Sequence, residues 1–266
     1  MIKRMATPDP RLQSCIDRYW CWQPAAGTTM PALLPGTGAE IWFHLAARPT
    51  TAGGLLPAVH LVATRQNRHD IQFTGASHLI AVRFRNPGLF SLFGVPLDAL
   101  VDQHLALDDW LMRDRLLSVE RLQQCNGWLE QVAVLDDWLL QCRQRRPEAA
   151  FTRQVEQLYY QQAVASNEMS SRRFQRLFRQ YTGVSARRFQ RLTRFQRLVR
   201  HLLIEGDARY LQQALAEGYY DQAHFINDFR ALTGEAPGRF LTADNFAHHF
   251  YQHSVLPGLF DRGVPR

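Results

Sequence analysis

The chain has 266 residues, of which 46% are hydrophobic and 21% charged, so its apolar content is enough for about two globular domains. Its formal net charge is +7 and its pI about 9.6, which favours an anionic partner such as nucleic acid or a membrane surface. No apolar run is long enough to cross a membrane and the N-terminus lacks the apolar core of a signal peptide, so we expect a soluble, cytoplasmic protein.

Residues 1 to about 100 predict a β-rich region. Three apolar runs of strand length, 40–45, 59–63 and 79–85, are separated by segments rich in glycine and proline. This composition is typical of a small barrel or sandwich.

From about residue 89 the apolar spacing changes to that of helices. Between Leu105 and Arg145, pairs of leucine and tryptophan recur about every 3.6 residues, which predicts helices packed beside the strands. A basic, proline-terminated run at 142–147 marks the predicted boundary. We therefore divide the chain into a β-rich domain with trailing helices at 1–146, an all-α domain at 147–245 and a tail at 246–266, an α+β architecture overall.

A repeat with an offset of 51 residues organises the second domain. Ten-residue segments starting at Ser170 and Asp221 align without a gap, and the match continues to Phe189 and Phe240. The shared residues include two phenylalanines, an arginine and a Thr-Gly pair in each copy.

Each copy predicts a capped amphipathic helix. Ser170 and Asp221 are suitable N-caps, because their side-chain oxygens can accept hydrogen bonds from the first turn. Gly183 and Gly234 are suitable helix ends. A short helix at 211–217 and the Gly-Tyr-Tyr turn at 218–220 precede the second copy, so helix, turn and capped helix predict a helix-turn-helix.

The first copy and the following segment carry only positive charge. Lys3 is the single lysine of the chain, and the stretch from Met169 to Ile204 holds ten arginines and no acidic residue. A single-sign run repels itself unless a polyanion neutralises it. We predict one connecting helix over 185–204, whose 20 residues span roughly 30 Å, close to the ~34 Å between successive major grooves on one side of B-DNA.

Two motifs in this region resemble the DNA-binding domain of AraC/XylS-type transcription regulators. They are SxRxFQRLFRQYTGVSxRRF at 170–189 and GYYDQAHFINDFRALTGEAPGRF at 218–240. More loosely, LLPGTGAEIWFHL at 33–45 and IAVRFRNPGLFSLFGVPLDALVD at 80–102 resemble a cupin-like N-terminal domain of some of these regulators. Together the two resemblances cover most of the chain.

The resemblance implies two recognition helices that enter the major groove of double-stranded promoter DNA. Carried over by position, the implied DNA-binding residues are Arg172, Arg173, Gln175, Arg176 and Arg179 in the first unit and Gln222, Ala223, His224, Asn227 and Arg230 in the second. Arg176 is the preferred candidate for a guanine contact, since paired Arg–guanine hydrogen bonds are the commonest specific contact. RNA polymerase and a small-molecule effector are further partners implied for such a regulator, and the oligomeric state, monomer or homodimer, stays open.

Four positions depart from the family pattern. Asn227 stands where the family often has arginine, which favours an adenine or water-mediated contact there. Gln213 and Glu217 occupy places that are usually apolar, and Glu168 lies near a usual glycine, with Asn167 taking the turn.

The N-terminal domain has two competing interpretations. In the first it senses a ligand or partner, with Trp42, His44 and Arg83 as pocket residues on predicted strands. In the second it is a metal-dependent cupin enzyme, for which the region offers five scattered histidines, His44, His60, His69, His78 and His104. No HxH pair or neighbouring carboxylate supports a metal site, so we expect no metal, no cofactor and no enzymatic activity.

Two further functions are disfavoured. Some DNA-repair proteins join a similar DNA-binding domain to a reactive cysteine, but Cys15 and Cys21 lie among tyrosine and tryptophan, and no CxxC pair exists. Membrane-surface binding by the basic helix fails because its apolar face is needed by the helix-turn-helix core.

Overall fold

The computed structural model describes residues 2–24, 32–109, 116–142, 149–159, 171–205 and 210–240. The predicted N-cap Ser170, the turn residues Asn167 and Glu168 and the tail at 246–266 lie outside these residues. The strands are β1 Ile2–Ala6, β2 Ile16–Gln23, β3 Glu40–His44, β4 Thr50–Thr51, β5 Gly54–Leu55, β6 Val59–Val62, β7 Leu79–Phe84 and β8 His104–Ala106. The helices are α1 Gly88–Phe93, α2 Val119–Gln123, α3 Trp128–Cys142, α4 Ala149–Tyr159, α5 Ser171–Thr182, α6 Ala186–Glu205, α7 Tyr210–Ala216, α8 Gln222–Thr233 and α9 Pro237–Phe240.

Six strands form one antiparallel sheet in the order β1-β2-β7-β3-β6-β8, and β4 and β5 form a small second sheet. The three strands predicted from apolar runs are confirmed as β3, β6 and β7. Strands β1 and β2 at one edge and β8 at the other extend this core of the sheet.

The sheet is buried on both faces, so alternate residues enter two different clusters. One face contributes Tyr19, Cys21, Ile41, Phe43, Ile80 and Val82 to a core shared with α1 and α3. The other contributes Trp20, Trp22, Trp42, Val62, Leu79 and Ala81, which pack with Leu33, Ile71 and Phe73 from loops. Burial on both faces explains why these strands read as continuous apolar runs.

The helical prediction for the region after residue 105 needs one correction. Leu105 lies in β8, where it pairs with Leu61, and a short 3₁₀ turn follows at Leu107–Asp109. His104, Leu105 and Ala106 form a strand at the edge of the sheet. A segment of so few residues is too short for its apolar spacing to distinguish a strand from a helix. Helices α2 and α3 occupy the later part of the predicted range.

The helical C-terminal region holds two clusters. In the first, α4 packs against α5 and the start of α6 through Phe151, Val155, Phe178 and Phe189. In the second, α6, α7, α8 and α9 share a core that includes Phe195, Phe225, Phe229 and Phe240. Leu34 of the N-terminal domain also lies in this second core.

The predicted repeat is present in atomic detail. Phe178 is 1% exposed and Phe229 0%, and each ring meets the phenylalanine eleven residues later, with centroids 5.2 Å and 5.5 Å apart. The Thr182 hydroxyl donates to the carbonyl of Phe178 at 2.6 Å, as the Thr233 hydroxyl does to that of Phe229 at 2.9 Å.

The glycines that follow end both helices in the same way. Gly183 and Gly234 have φ of +84° and +80°, the left-handed region that glycine enters without a steric penalty. Their N–H groups donate to the carbonyls of Arg179 and Arg230. The two copies therefore share helix, core and terminator.

Candidate nucleic-acid interface

Helix α5 presents its predicted DNA-binding residues to solvent. Arg172, Arg173, Gln175, Arg176 and Arg179 are all exposed. The opposite stripe of the helix, led by Phe178, is buried in the first core, so packing fixes which face points outward. Their contact with DNA stays a prediction.

Helix α8 has the same outward face with different chemistry. Gln222, Ala223, His224, Asn227 and Arg230 are exposed. The predicted N-cap Asp221 is confirmed, since its Oδ1 accepts from the N–H of His224 at 2.7 Å. This cap fixes the start of the helix, which is the end that reads bases in helix-turn-helix proteins.

The predicted connector is confirmed as the 20-residue helix α6, but not all of its arginines are free for DNA. Arg191 Nε donates to Asp228 at 2.5 Å, and Arg197 Nε donates to Glu217 at 2.7 Å. Arg194 lies 3.8 Å from Asp228 and 4.3 Å above the ring of Tyr219. The expectation that this charge waits for a polyanion is therefore wrong for these three, because acids of the second unit neutralise them.

The pairing with Arg197 explains how an acid is accommodated at position 217, which is usually apolar in the family that the sequence resembles. Glu217 is 7% exposed and also lies 3.1 Å from His201 Nδ1, so α6 offers a buried acid two basic partners. Burying a carboxylate without such partners would cost several kcal/mol. Sequence inspection missed this, although Asp228 and Glu217, acids on otherwise apolar helix faces opposite an arginine-rich helix, were a usable signal.

An open groove of about 1070 Å³ lies between the two units. It is lined by Leu158, Ser185, Arg187, Arg188, Gln190, Arg191, Arg194, Gly218, His224 and Asp228. Arg187 and Arg188 on its rim are exposed. Guanidinium groups in a groove formed mainly by α6 and the recognition helix α8 suit the phosphate backbone of nucleic acid.

The three predicted pocket residues of the N-terminal domain share one face of the sheet, and all are buried. Arg83 donates to Glu40 at 2.6 Å and to the carbonyl of Thr37 at 2.5 Å, while the Trp42 indole donates to Glu40 at 2.7 Å. These bonds occupy Arg83 and Trp42. Among the described residues, both ring nitrogens of His44 lack a hydrogen-bond partner.

Four of the five scattered histidines are brought together on this face. The His44 and His60 rings stack at 5.1 Å, His60 and His104 lie 5.2 Å apart, and His69 Nδ1 is 3.1 Å from His104 Nε2. Burial lowers the pKa of His44, His60 and His104 to about 3, so these rings are neutral. The strand register brings these histidines together, since Trp42 of β3 pairs with His60 of β6, and His60 pairs with Ala106 of β8.

In the described part of the chain, no group of three or more histidine, cysteine, aspartate or glutamate side chains could hold a metal ion. The four cysteines, all within the described residues, form no disulfide, and burial raises the pKa of the Cys21 thiol to about 11, which works against a reactive thiolate.

Comparison with known families agrees with this geometry. A family described as a helix-turn-helix domain matches residues 164–243, and one described as a domain of unknown function (DUF6597) matches residues 4–106. The chain is thus a protein that contains a helix-turn-helix domain. More particularly, the chain carries an AraC-type helix-turn-helix domain behind a separate N-terminal domain. No curated protein matched the chain in the sequence search.

Among solved structures the chain is similar to ToxT from Vibrio cholerae, with 10% identity and a TM-score of 0.45, over 84% of this chain and 97% of that one. A ToxT structure from strain O395 bound to (E)-4-(8-methylnaphthalen-1-yl)but-3-enoic acid gives 9% identity and a TM-score of 0.46, over 83% and 96%. An unsaturated fatty acid bound ToxT from strain SCE256 gives 12% and 0.39, over 84% and 93%.

Within the residues that the structure describes, no helix is both long and apolar enough to span a membrane.

Proposed function

We propose that this protein is a sequence-specific DNA-binding transcription regulator, with no enzymatic activity, that acts on promoter DNA. The observation that carries this is the matched pair of helices α5 and α8, each buried on its aromatic stripe and exposed on the face that carries the predicted base-reading residues. The predicted sites are those of the two outward faces, with Arg176 at a guanine and Asn227 at an adenine or a water-mediated contact. We place its action in the bacterial cytoplasm at the nucleoid, where it can meet RNA polymerase.

Charge supports a strong backbone component of binding. Four exposed arginines on α5 and two on the rim of the groove offer phosphate contacts, and each phosphate neutralised releases condensed counterions. Binding should therefore weaken steeply as salt rises. The expected target is an asymmetric element of about two helical turns, because the two outward faces differ in chemistry.

The test is selection of double-stranded DNA from a random pool by the purified full-length protein. We expect one enriched asymmetric element, bound much more tightly than scrambled DNA at the same salt concentration. Enrichment of no sequence, or equal binding to scrambled DNA, would contradict the proposal. Genome-wide mapping of bound sites would then identify the regulated genes.

Control by a small molecule at the N-terminal domain is the second part of the proposal. It is supported by His44, which is 2% exposed and has two ring nitrogens without partners in the described residues, beside Trp42 on one sheet face. Buried polar atoms without partners cost about 1–3 kcal/mol each, which a hydrogen-bonding ligand would recover. Native mass spectrometry of the wild type and of His44→Phe should show a bound mass in the wild type alone; equal spectra would argue against this site.

A further inference from the structure

One loop of the N-terminal domain contacts the ends of both recognition helices. The hydroxyl of Thr64, just after β6, donates to the main-chain oxygen of Thr182 at 2.7 Å. Arg68 Nη1 donates to the main-chain oxygen of Thr233 at 3.3 Å and to Glu235 at 2.9 Å. Thr182 and Thr233 are equivalent residues of the repeat, so the loop holds the same position in each unit.

The same loop also contacts the connecting helix. Between its two anchors, Gln66 Oε1 accepts from Arg188 Nε of α6 at 2.5 Å. Loop 64–68 therefore contacts α5, α6 and the end of α8. The carbonyls that it meets belong to last helical turns, which lack partners within their own helices.

Asp102 fixes the shape of this loop. Its Oδ1 accepts from the N–H groups of Gln66 and Asn67 at 2.7 and 3.0 Å, and its own N–H donates to the carbonyl of Thr64 at 3.0 Å. Asp102 has φ of +59°, which is uncommon for a residue other than glycine and is kept only where surrounding bonds require it. His69 Nε2 lies 3.3 Å from the same carboxylate, which links the loop to the histidine cluster.

The segment that leads to Asp102 packs against the first unit as well. The N–H of Leu97 donates to the carbonyl of Gln180 at 2.7 Å. A Cβ on Gly183 would lie 2.9 Å from Val101 Cγ2 and 3.0 Å from the carbonyl of Leu97, so glycine is needed for this approach. The end of α5 is thus fixed to the N-terminal domain on two sides.

We propose that loop 64–68, shaped by Asp102, is a positioning device that sets the distance and angle between α5 and α8, and so decides which spacing of DNA half-elements the protein accepts. The inference rests on the proposed DNA binding and goes beyond it. The accepted spacing of DNA half-elements would then be set by the N-terminal domain as well as by the length of α6. The C-terminal ends of both helices are held, while their N-terminal ends stay exposed for bases. Thr64, Arg68 and Asp102 are the positioning residues.

The experiment uses full-length protein and the element that the wild type selects from random DNA. Affinity is measured for that element and for two longer versions, with either a single or a double base-pair insertion at the centre. Each inserted base pair moves the two halves apart by roughly 3.4 Å. For the wild type we expect roughly a tenfold or greater loss per insertion. For Thr64→Val, Arg68→Ala and Asp102→Ala we expect several-fold weaker binding to the original element, with an insertion penalty reduced to about threefold or less.

Arg121→Ala removes one charge from an exposed position on α2, so it is the matched control and should keep the wild-type insertion penalty. The penalty is a ratio, so a general loss of phosphate attraction by Arg68→Ala cancels from it. Thr64→Val keeps shape and size, so it decides the result if another variant unfolds. Folded variants that bind with the wild-type insertion penalty overturn the positioning role alone, whereas a wild type that selects no DNA overturns the proposed function.

Discussion

The two helix-turn-helix units agree in their interiors and differ on their outer faces. Phe178 and Phe229 hold equivalent buried positions, and Thr182 and Thr233 make the same hydrogen bonds. The outward positions Arg172, Arg173, Arg176 and Arg179 of α5 are matched by Ala223, His224, Asn227 and Arg230 of α8. A duplicated core thus carries two different surfaces, one with four arginines and the other with one.

The units also differ in how they are attached to α6. The position of Leu177 in the first unit is taken by Asp228 in the second, where the carboxylate meets Arg191, Arg194 and the hydroxyl of Tyr219. Burial beside this carboxylate raises the pKa of Tyr219, so the hydroxyl remains a donor. The first unit is held by apolar packing and the second by packing and ion pairs.

The largest expected effect tests the shared interior. Phe178→Ala and Phe229→Ala should each lower the free energy of unfolding by ~3–5 kcal/mol, because each removes a buried ring and leaves a cavity. Urea unfolding followed by circular dichroism measures this. Gln175→Ala, an exposed neighbour, should change stability by no more than about 0.5 kcal/mol. If one phenylalanine variant matched the wild type, the two cores would not be equivalent.

The next effect tests the difference in attachment. Asp228→Asn should destabilise the protein by roughly 1.5–3 kcal/mol, since hydrogen bonds to a charged group are lost and two arginines keep their positions without an acid. Asp228→Leu imports the residue of the first unit and should also destabilise. Equal stability of Asp228→Leu and the wild type, in the same urea experiment, would show that packing alone holds the second unit.

A smaller effect separates the two reading faces. Arg176→Ala should cost about 1–3 kcal/mol of binding at one base pair and relax the preference there. Asn227→Ala should cost less, because its contact is a single amide or a bridging water. Affinities for single-base variants of the selected element check this. Retention of full base discrimination by Arg176→Ala would show that the docking register is wrong.

The smallest effect concerns the salt dependence of binding. Arg172→Ala should reduce the slope of log affinity against log salt by about one, since one phosphate contact is lost. The reciprocal change Ala223→Arg should increase it by a similar amount. Filter binding at several salt concentrations measures both slopes, and an unchanged slope in both variants would remove these positions from the backbone contacts.

Parts of the fold were predictable because local pattern and final environment agree. Strands β3, β6 and β7 read as apolar runs, and the connector α6 reads as a helix of the predicted length. Strand β2 was missed, because it buries Asp17 and Arg18, which pair at 2.5 Å and disguise the strand. The two partners are adjacent in the sequence, but their burial depends on the neighbouring strands β1 and β7, which a local pattern does not show.

The candidate site divides in the same way. The stripe of phenylalanines fixed which residues of α5 and α8 face outward, because the helical period leaves a single apolar side. The α6 partners of Glu217 and Asp228 lie between 16 and 37 residues away in the sequence, and no spacing rule pairs them. The histidine cluster depends on strand register, which sequence alone did not supply.

What the sequence determined by itself is the pair of amphipathic, glycine-terminated helices and the Asp221 cap of the second, since capping, helical period and helix termination act over a few residues. What only the tertiary structure decided is how these helices are held: three α6 arginines neutralised by the second unit, four histidines gathered on one sheet face, and loop 64–68 bonded to both helix ends. These contacts join residues far apart in the chain, and their energies depend on burial and orientation that exist only after folding.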